Sequence, residues 1–268
     1  MSTANQHYAR GESLYRDGKY AEAAAEYRLA IDTTTAPGAA ADPDLHRYLR
    51  GLARSLAPGG VNGDALAQHK AALEQAERQL PASDVAVIRL QLDYSLALMK
   101  HGDPDQAQAE LGDAEQRLKT ANLESSIAAG ILHTFLSDLS YLTGDADEAL
   151  SRGQRALTIY LQAPAVPGNR IAEAHTSIGN AHMKRKDYAA AFAAYQAARA
   201  CRADDAAHDH YQIAVNEGSL AEALLGLSRC SEAKPHLDRA ETLLAHCAPD
   251  DWLSQHWIAD VRRNCNGR

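Results

Sequence analysis

Apolar positions repeat along this chain at one fixed interval. Leu52, Tyr94, Leu136, Ile178 and Leu220 each lie 42 residues after the last, and Leu14, Leu56, Leu98 and Leu224 share a second register. Small residues keep the same interval. Ala23, Ala65, Ala107, Ala149, Ala191 and Ala233 form one ladder, and Ala30, Ala72, Ala114, Ala156, Ala198 and Ala240 form another seven positions on. Twelve positions before the first ladder stand Gly11, Ala53, Ser95, Ser137, Gly179 and Ala221. A small residue recurs where two helix backbones must approach closely, and seven positions is two helical turns on one face. Between the small sites lies a breaker register, Gly18, Gly60, Gly102 and Gly144, then Lys186 and Ser228. The pattern predicts a unit of helix A, tight turn and helix B, and the unbroken count predicts a repeat architecture.

Six such units fit, at about 4–45, 46–87, 88–129, 130–171, 172–213 and 214–255. The remainder predicts a capping helix over about 251–264, with Asp250 or Asp251 as its cap and Leu253, Trp257 and Val261 on one stripe. Because each unit buries itself against its neighbours, residues 1–268 read as a single domain. Composition agrees. The chain is 46% apolar with two Trp and two Phe, which suits closely packed helices better than a sheet.

The segments 10–30, "RGESLYRDGKYAEAAAEYRLA", and 178–198, "IGNAHMKRKDYAAAFAAYQAA", resemble the tetratricopeptide (TPR) repeat. The long unit resembles the variety found in kinesin light chains, the maltose-regulon activator and bacterial peptide-sensing regulators. The resemblance covers about residues 4–255 and implies an all-α, right-handed α-solenoid of about six helix-turn-helix repeats closed by a capping helix. It also implies that helix A lines a concave groove. Residue by residue, that wall is Asn5, Tyr8, Glu12, Tyr15 and Arg16, then Arg47, Arg50 and Arg54, then Arg89, Leu92, Met99 and Lys100. It continues with Thr134, Asp138 and Tyr141, with Glu173, Thr176, Asn180 and Lys184, and with Val215 and Glu222. Asn180 stands where such repeats often use an amide to hold a peptide backbone. The carboxylate clamp of chaperone-binding members wants Lys and Asn in unit one, and Tyr8 and Glu12 stand there instead.

Arg47, Arg50 and Arg54 share a helical face, so the wall is basic over the first three units and mixed or acidic beyond. Arginine captures carboxylate or phosphate through two N–H donors at once, whereas a run of charge alone is also the ordinary wet side of a helix. The whole chain carries −8, which disfavours nucleic acid and anionic lipid. No apolar leader and no membrane-length apolar run is expected, and Cys201, Cys230, Cys247 and Cys265 read as cytosolic thiols. No GxxxxGK[ST], HExxH, GxSxG or CxxC occurs. His208, Asp209 and His210 with Cys201 and Cys230 give half a zinc site at best, so neither metal nor cofactor is expected. His7, His133 and His175 share one register and read as packing histidines bonded at the helix A–helix B contact.

The function these residues support is a non-catalytic, cytoplasmic scaffold or adaptor that binds a protein or peptide with an acidic or carboxylate-bearing segment. The contact residues are Tyr8, Tyr15, Arg47, Arg50, Arg54, Arg89, Lys100, Asp138, Tyr141, Asn180 and Lys184. Two alternatives stand beside it: a cytosolic sensor of a small peptide or metabolite that acts on a partner in trans, and an enzyme with an active site in the groove.

Overall fold

A computed structural model describes residues 2–35, 42, 44–56, 63–203 and 210–267. These residues form thirteen helices and no strand. The A helices are α1 (Thr3–Arg16), α3 (Leu45–Leu56), α5 (Val85–His101), α7 (Ile127–Thr143), α9 (Gly168–Lys184) and α11 (His210–Gly226). The B helices are α2 (Tyr20–Thr35), α4 (Gly63–Gln79), α6 (Pro104–Thr120), α8 (Ala146–Gln162), α10 (Tyr188–Ala203) and α12 (Cys230–Cys247). A last helix, α13 (Trp252–Asn266), follows. The chain divides into two compact units, Met1–Asn122 with α1–α6 and Leu123–Arg268 with α7–α13.

Among the described residues the breaker register makes one kind of turn. Gly18, Gly102, Gly144, Lys186 and Ser228 all have φ between 60° and 96°. The residue after each donates its N–H back to the carbonyl five earlier, as in Asp145 to Ser140 at 2.8 Å and Asp187 to His182 at 2.9 Å. This left-handed cap uses up the carbonyls that a helix end leaves open. Glycine suits it because it has no Cβ, while Lys186 and Ser228 adopt the same φ against their preference. In three turns the following residue is an aspartate that caps the next helix: Asp103, Asp145 and Asp187 accept from the N–H of Gln106, Glu148 and Ala190. Stop and start therefore occupy adjacent residues, which keeps the hairpin tight. Gly60 lies outside the described residues.

Both alanine ladders are buried. Ala107, Ala114 and Ala149 have no exposed surface, and the same holds for Ala23, Ala30, Ala156, Ala191, Ala198, Ala233 and Ala240. The side chains of Ala53 and Ala65 lie outside the described residues. Across the crossing, residue sizes compensate. The Cα of Gly11 faces the Tyr27 ring and that of Gly179 faces Tyr195, so closely that a Cβ on either would sit 2.7 Å or 2.4 Å from a ring carbon. Where the small site carries a Cβ, as at Ser95 and Ala221, the residue at the tyrosine register is Leu111 or Leu237, both buried. In the fourth unit the order reverses, with Ser137 opposite Gly153.

A second rung is polar in four of the crossings. His7 meets Glu26 at 2.7 Å, Gln91 meets Glu110 at 3.0 Å, His133 meets Arg152 at 3.4 Å and His236 meets Glu217 at 2.5 Å. His7 and His133 are therefore bonded as expected of their register, whereas His175, half-buried on α9 with Ala194 at the partner position, has no such bond among the described residues. Glu217 is 1% exposed and is balanced by both His236 and Arg239, as a buried carboxylate must be.

Helix α13 departs from the expected stripe. Asp251 caps it, accepting from Ser254 N–H. Ile258 and Val261 are buried, and Trp257 with Ile258 packs over Gly218 of α11. Leu253 is 65% exposed and Trp252 69% exposed. Burying Ile258 and Val261 sets the rotation of the helix, and that rotation leaves its first turn facing outward.

Candidate functional site

In the first unit α1 and α3 bound an open cleft of about 500 Å3, lined by Asn5, Tyr8, Ala9, Glu12, Arg16, Asp44 and Arg47. Its walls are held from beneath by two tyrosines with no exposed surface. Tyr27 threads between α1 and α3, against the bare Cα atoms of Gly11 and Gly51, and donates its hydroxyl to Glu12 Oε1 at 2.6 Å. Tyr48 donates to Asn5 Oδ1 at 3.0 Å. Burial, then the nearby Asp42 and Asp44, pushes the Tyr48 hydroxyl up to about 12, so it stays a proton donor at any physiological pH. Tyr8 packs against both rings, at 5.8 Å from Tyr27 and 5.5 Å from Tyr48.

Arg47 lies with its guanidinium carbon 4.8 Å from the centre of the Tyr8 ring, a cation–π contact, and reaches Asp44 at 3.2 Å. Its side chain is 48% exposed. Arg16 bonds through Nε to the Glu12 carbonyl at 3.1 Å. The lining thus pairs two guanidiniums, Arg16 and Arg47, with two carboxylates, Glu12 and Asp44.

The other basic residues of this unit are placed differently. Arg50 turns to Asp93 of α5 at 3.1 Å and is 20% exposed, so its charge ties α3 to α5. Arg89 is half-buried on α5, and Lys100 is exposed at its end. Arg54 belongs to α3, but its side chain lies outside the described residues. Tyr15 is buried, with its ring 5.0 Å from that of Tyr20. Tyr8 and Arg47 are therefore the expected site residues that the cleft brings together. Asp44, the residue before α3, joins them.

In the second compact unit, Leu123–Arg268, the register of Glu12 is occupied by Asp138 on α7, Asn180 on α9 and Glu222 on α11. Each is oriented by a donor from another part of the fold. Ser177 donates to Asp138 Oδ1 at 2.7 Å, Tyr195 to Asn180 Oδ1 at 2.8 Å and Trp257 Nε1 to Glu222 Oε2 at 3.1 Å. Lys184 stands 5.2 Å over the Tyr141 ring. Burial raises the Glu222 carboxyl above its ordinary range, opposed by the Trp257 bond. Burial, then the Glu222 charge, raises the hydroxyls of Tyr141 and Tyr195. Asp138, Tyr141, Asn180 and Lys184 thus lie on one polar surface with Glu222, whose tie to Trp257 no sequence spacing announced. His208 and Asp209, the core of the weak metal reading, lie outside the described residues.

Neither a family model nor a curated protein sequence matches this chain. Solved structures do. A Rap protein complexed with Competence and Sporulation Factor is similar at a TM-score of 0.65 and 17% identity, over 98% of this chain and 74% of that one. BtubC from P. vanneervenii is similar at 0.58 and 15% identity, over 91% and 92%. A thermophilic TPR protein in Thermus thermophilus is similar at 0.57 and 19% identity, over 83% of this chain and all of that one. The fold is TPR-like.

A TPR-like hairpin gives each polar group of its A helix a fixed place from one repeat to the next. Asp138, Asn180 and Glu222 therefore recur on the same face of successive A helices rather than at scattered surface points. Among the described helices none is long and apolar enough to cross a membrane.

Proposed function

We propose that this chain is a non-catalytic scaffold that binds a peptide or protein segment along its A-helix faces, with the α1–α3 cleft as an anchor. The observation that carries the reading is the preset polar lining of that cleft. Glu12 and Asn5 are already held by Tyr27 and Tyr48, so binding does not have to order them. The segment carries an acidic or carboxylate group, for which Arg47 is the best placed cation because it is nearly half exposed and stacked on Tyr8. A net charge of −8 argues against nucleic acid as the partner. In the second unit, Asn180 and Lys184 offer an amide and an ammonium to the same kind of ligand, beside Tyr141 and Asp138. The protein works in the cytoplasm in this reading.

A second reading, a sensor of a small peptide or factor, is favoured by one fact: a structure of similar fold was solved with Competence and Sporulation Factor bound. Both readings are tested by selecting peptides from a random display library on the full chain. The scaffold reading expects enriched peptides rich in Asp or Glu, and an affinity loss of about tenfold or more in Arg47→Glu with unchanged helix content. Recovery of no peptide above an unrelated helical protein would end it. A melting shift with small metabolites in place of peptide enrichment would favour the sensor.

A further inference from the structure

Helix α13 turns Ile258 and Val261 inward on α11 and α12, and its opposite face carries Trp252, His256, Ala259 and Arg263. Spacings of four, three and four residues put these side chains in one stripe. Trp252, His256 and Arg263 are exposed, and Ala259 is half-buried. The stripe complements itself when reversed. Its spacing reads the same in both directions, so an antiparallel copy sets Trp252 opposite Arg263 and His256 opposite Ala259. The first pair joins an aromatic face to a guanidinium. The second joins a large side chain to a small one, which lets the two helices approach. We propose that this face of α13 is a homodimer contact, with a second copy of the chain packed antiparallel across the stripe. Such a contact is independent of the scaffold reading.

Charge favours a second copy as the occupant. Trp252 and Arg263 stand about 16 Å apart along the helix, so they cannot meet within one chain. A two-fold axis brings them together twice, because each copy offers its ring to the guanidinium of the other. The Arg263 side chain is 67% exposed and is tied to Asp260 of its own helix. That ion pair uses N–H groups in the plane of the guanidinium and leaves its flat face for the Trp252 ring. From Trp252 to Ala259 the helix bears no Asp, Glu, Lys or Arg, so no like charges confront each other where the axis passes. Two chains of net charge −8 repel as wholes, and only a contact neutral at its centre avoids adding to that repulsion. Antiparallel packing also lays the start of each helix beside the end of the other, which brings opposite ends of the two dipoles together. One helix against its copy is a small interface, so the dimer is weak and forms with rising concentration.

The test is sedimentation velocity of the full chain from about 1 μM to about 300 μM, the range in which weak association is read. The weight-average sedimentation coefficient should rise with concentration toward that of a dimer. Trp252→Ala and Arg263→Glu should each weaken association by about tenfold or more, since symmetry removes two contacts at once. Both side chains are exposed, so circular dichroism should show the helix content of the parent. A second measurement reads the register. His256→Cys and Ala259→Cys variants, mixed under mild oxidation, should give more disulfide-linked dimer than either variant alone or the parent with its own cysteines. A chain that stays monomeric at the highest concentration would overturn the proposal. A dimer that neither Trp252→Ala nor Arg263→Glu weakens would overturn it too, and would put the contact elsewhere.

Discussion

In the first unit Tyr27 crosses the bare Cα of Gly11 and gives its hydroxyl to Glu12; in the second Tyr195 crosses Gly179 and gives its hydroxyl to Asn180. All three residues of the second set lie 168 positions after those of the first, four repeats on. The steric half of the device is the same in both: a glycine opens the crossing and a buried ring fills it. The chemical half differs. Tyr27 ends on a carboxylate in a cleft with two arginines, whereas Tyr195 ends on a neutral amide near Lys184 and Glu222. The second neighbour differs too. Tyr27 also faces Gly51 on α3, and at that register α11 has Ser219, whose hydroxyl donates to the Val215 carbonyl at 3.0 Å. A repeat thus keeps its packing solution while the residue at the tip of the tyrosine sets the local charge.

The largest effect should come from closing the crossing itself. A methyl group at residue 179 would sit 2.4 Å from a ring carbon of a tyrosine that is 2% exposed, with no room for the ring to retreat. Gly179→Ala should cost about 1–3 kcal/mol in denaturant unfolding. Gly11→Ala should behave alike, since its Cβ would meet Tyr27 at 2.7 Å. The chain itself shows one remedy, leucine in place of tyrosine, where the small site is Ser95 or Ala221. The double variant Gly179→Ala/Tyr195→Leu should therefore lose less than the sum of its singles. Strict additivity would mean that the two residues do not share one space.

Removing only the hydroxyls separates the two units by chemistry. Tyr27→Phe strips a donor from a carboxylate and should cost about 1–2 kcal/mol, because bonds to charged groups are the stronger kind. Tyr195→Phe strips a neutral bond and should cost about 0.5–1 kcal/mol. Equal losses in paired melts would show that the charge on Glu12 adds nothing to its tie.

Much of this frame can be read from the amino acids. The alanine ladders mark buried crossings, the breaker register marks left-handed turns even where Lys186 and Ser228 replace glycine, and His7 and His133 bond as their shared position suggests. These are local or periodic signals, and one period carries them through every unit. The site was harder to read. Arg50 sits on the face expected of a free cation, yet Asp93, 43 residues later, takes its charge. Asp44 is part of the cleft wall only because the start of α3 comes to lie beside α1. Tyr27 and Tyr48 reach Glu12 and Asn5 only because the helices approach closely enough, which depends on Gly11 and Gly51 together. Such ties depend on distances between helices, and no spacing within one helix encodes them.

The smallest effect concerns Glu222, which extends the register of Glu12 and Asn180 onto α11. Burial raises its carboxyl above the ordinary range while Trp257 N–H partly offsets the cost of its charge. A group whose folded pKa lies above its unfolded value contributes its stability below the unfolded value and loses it as pH rises through the folded one. Ionised Glu222 is therefore a small liability at neutral pH. Glu222→Gln keeps an oxygen for Trp257 and removes that charge, so it should raise the melting temperature at pH 7 by about 1–3 °C. The gain should shrink as pH falls toward 4, where the parent residue becomes neutral too. Melting curves of both proteins from pH 4 to pH 8 give the answer. A gain that stays constant with pH would assign the effect to packing against Trp257. A loss at pH 7 would show that Glu222 is held as an anion by its neighbours, which would make the second unit resemble the charged cleft of the first.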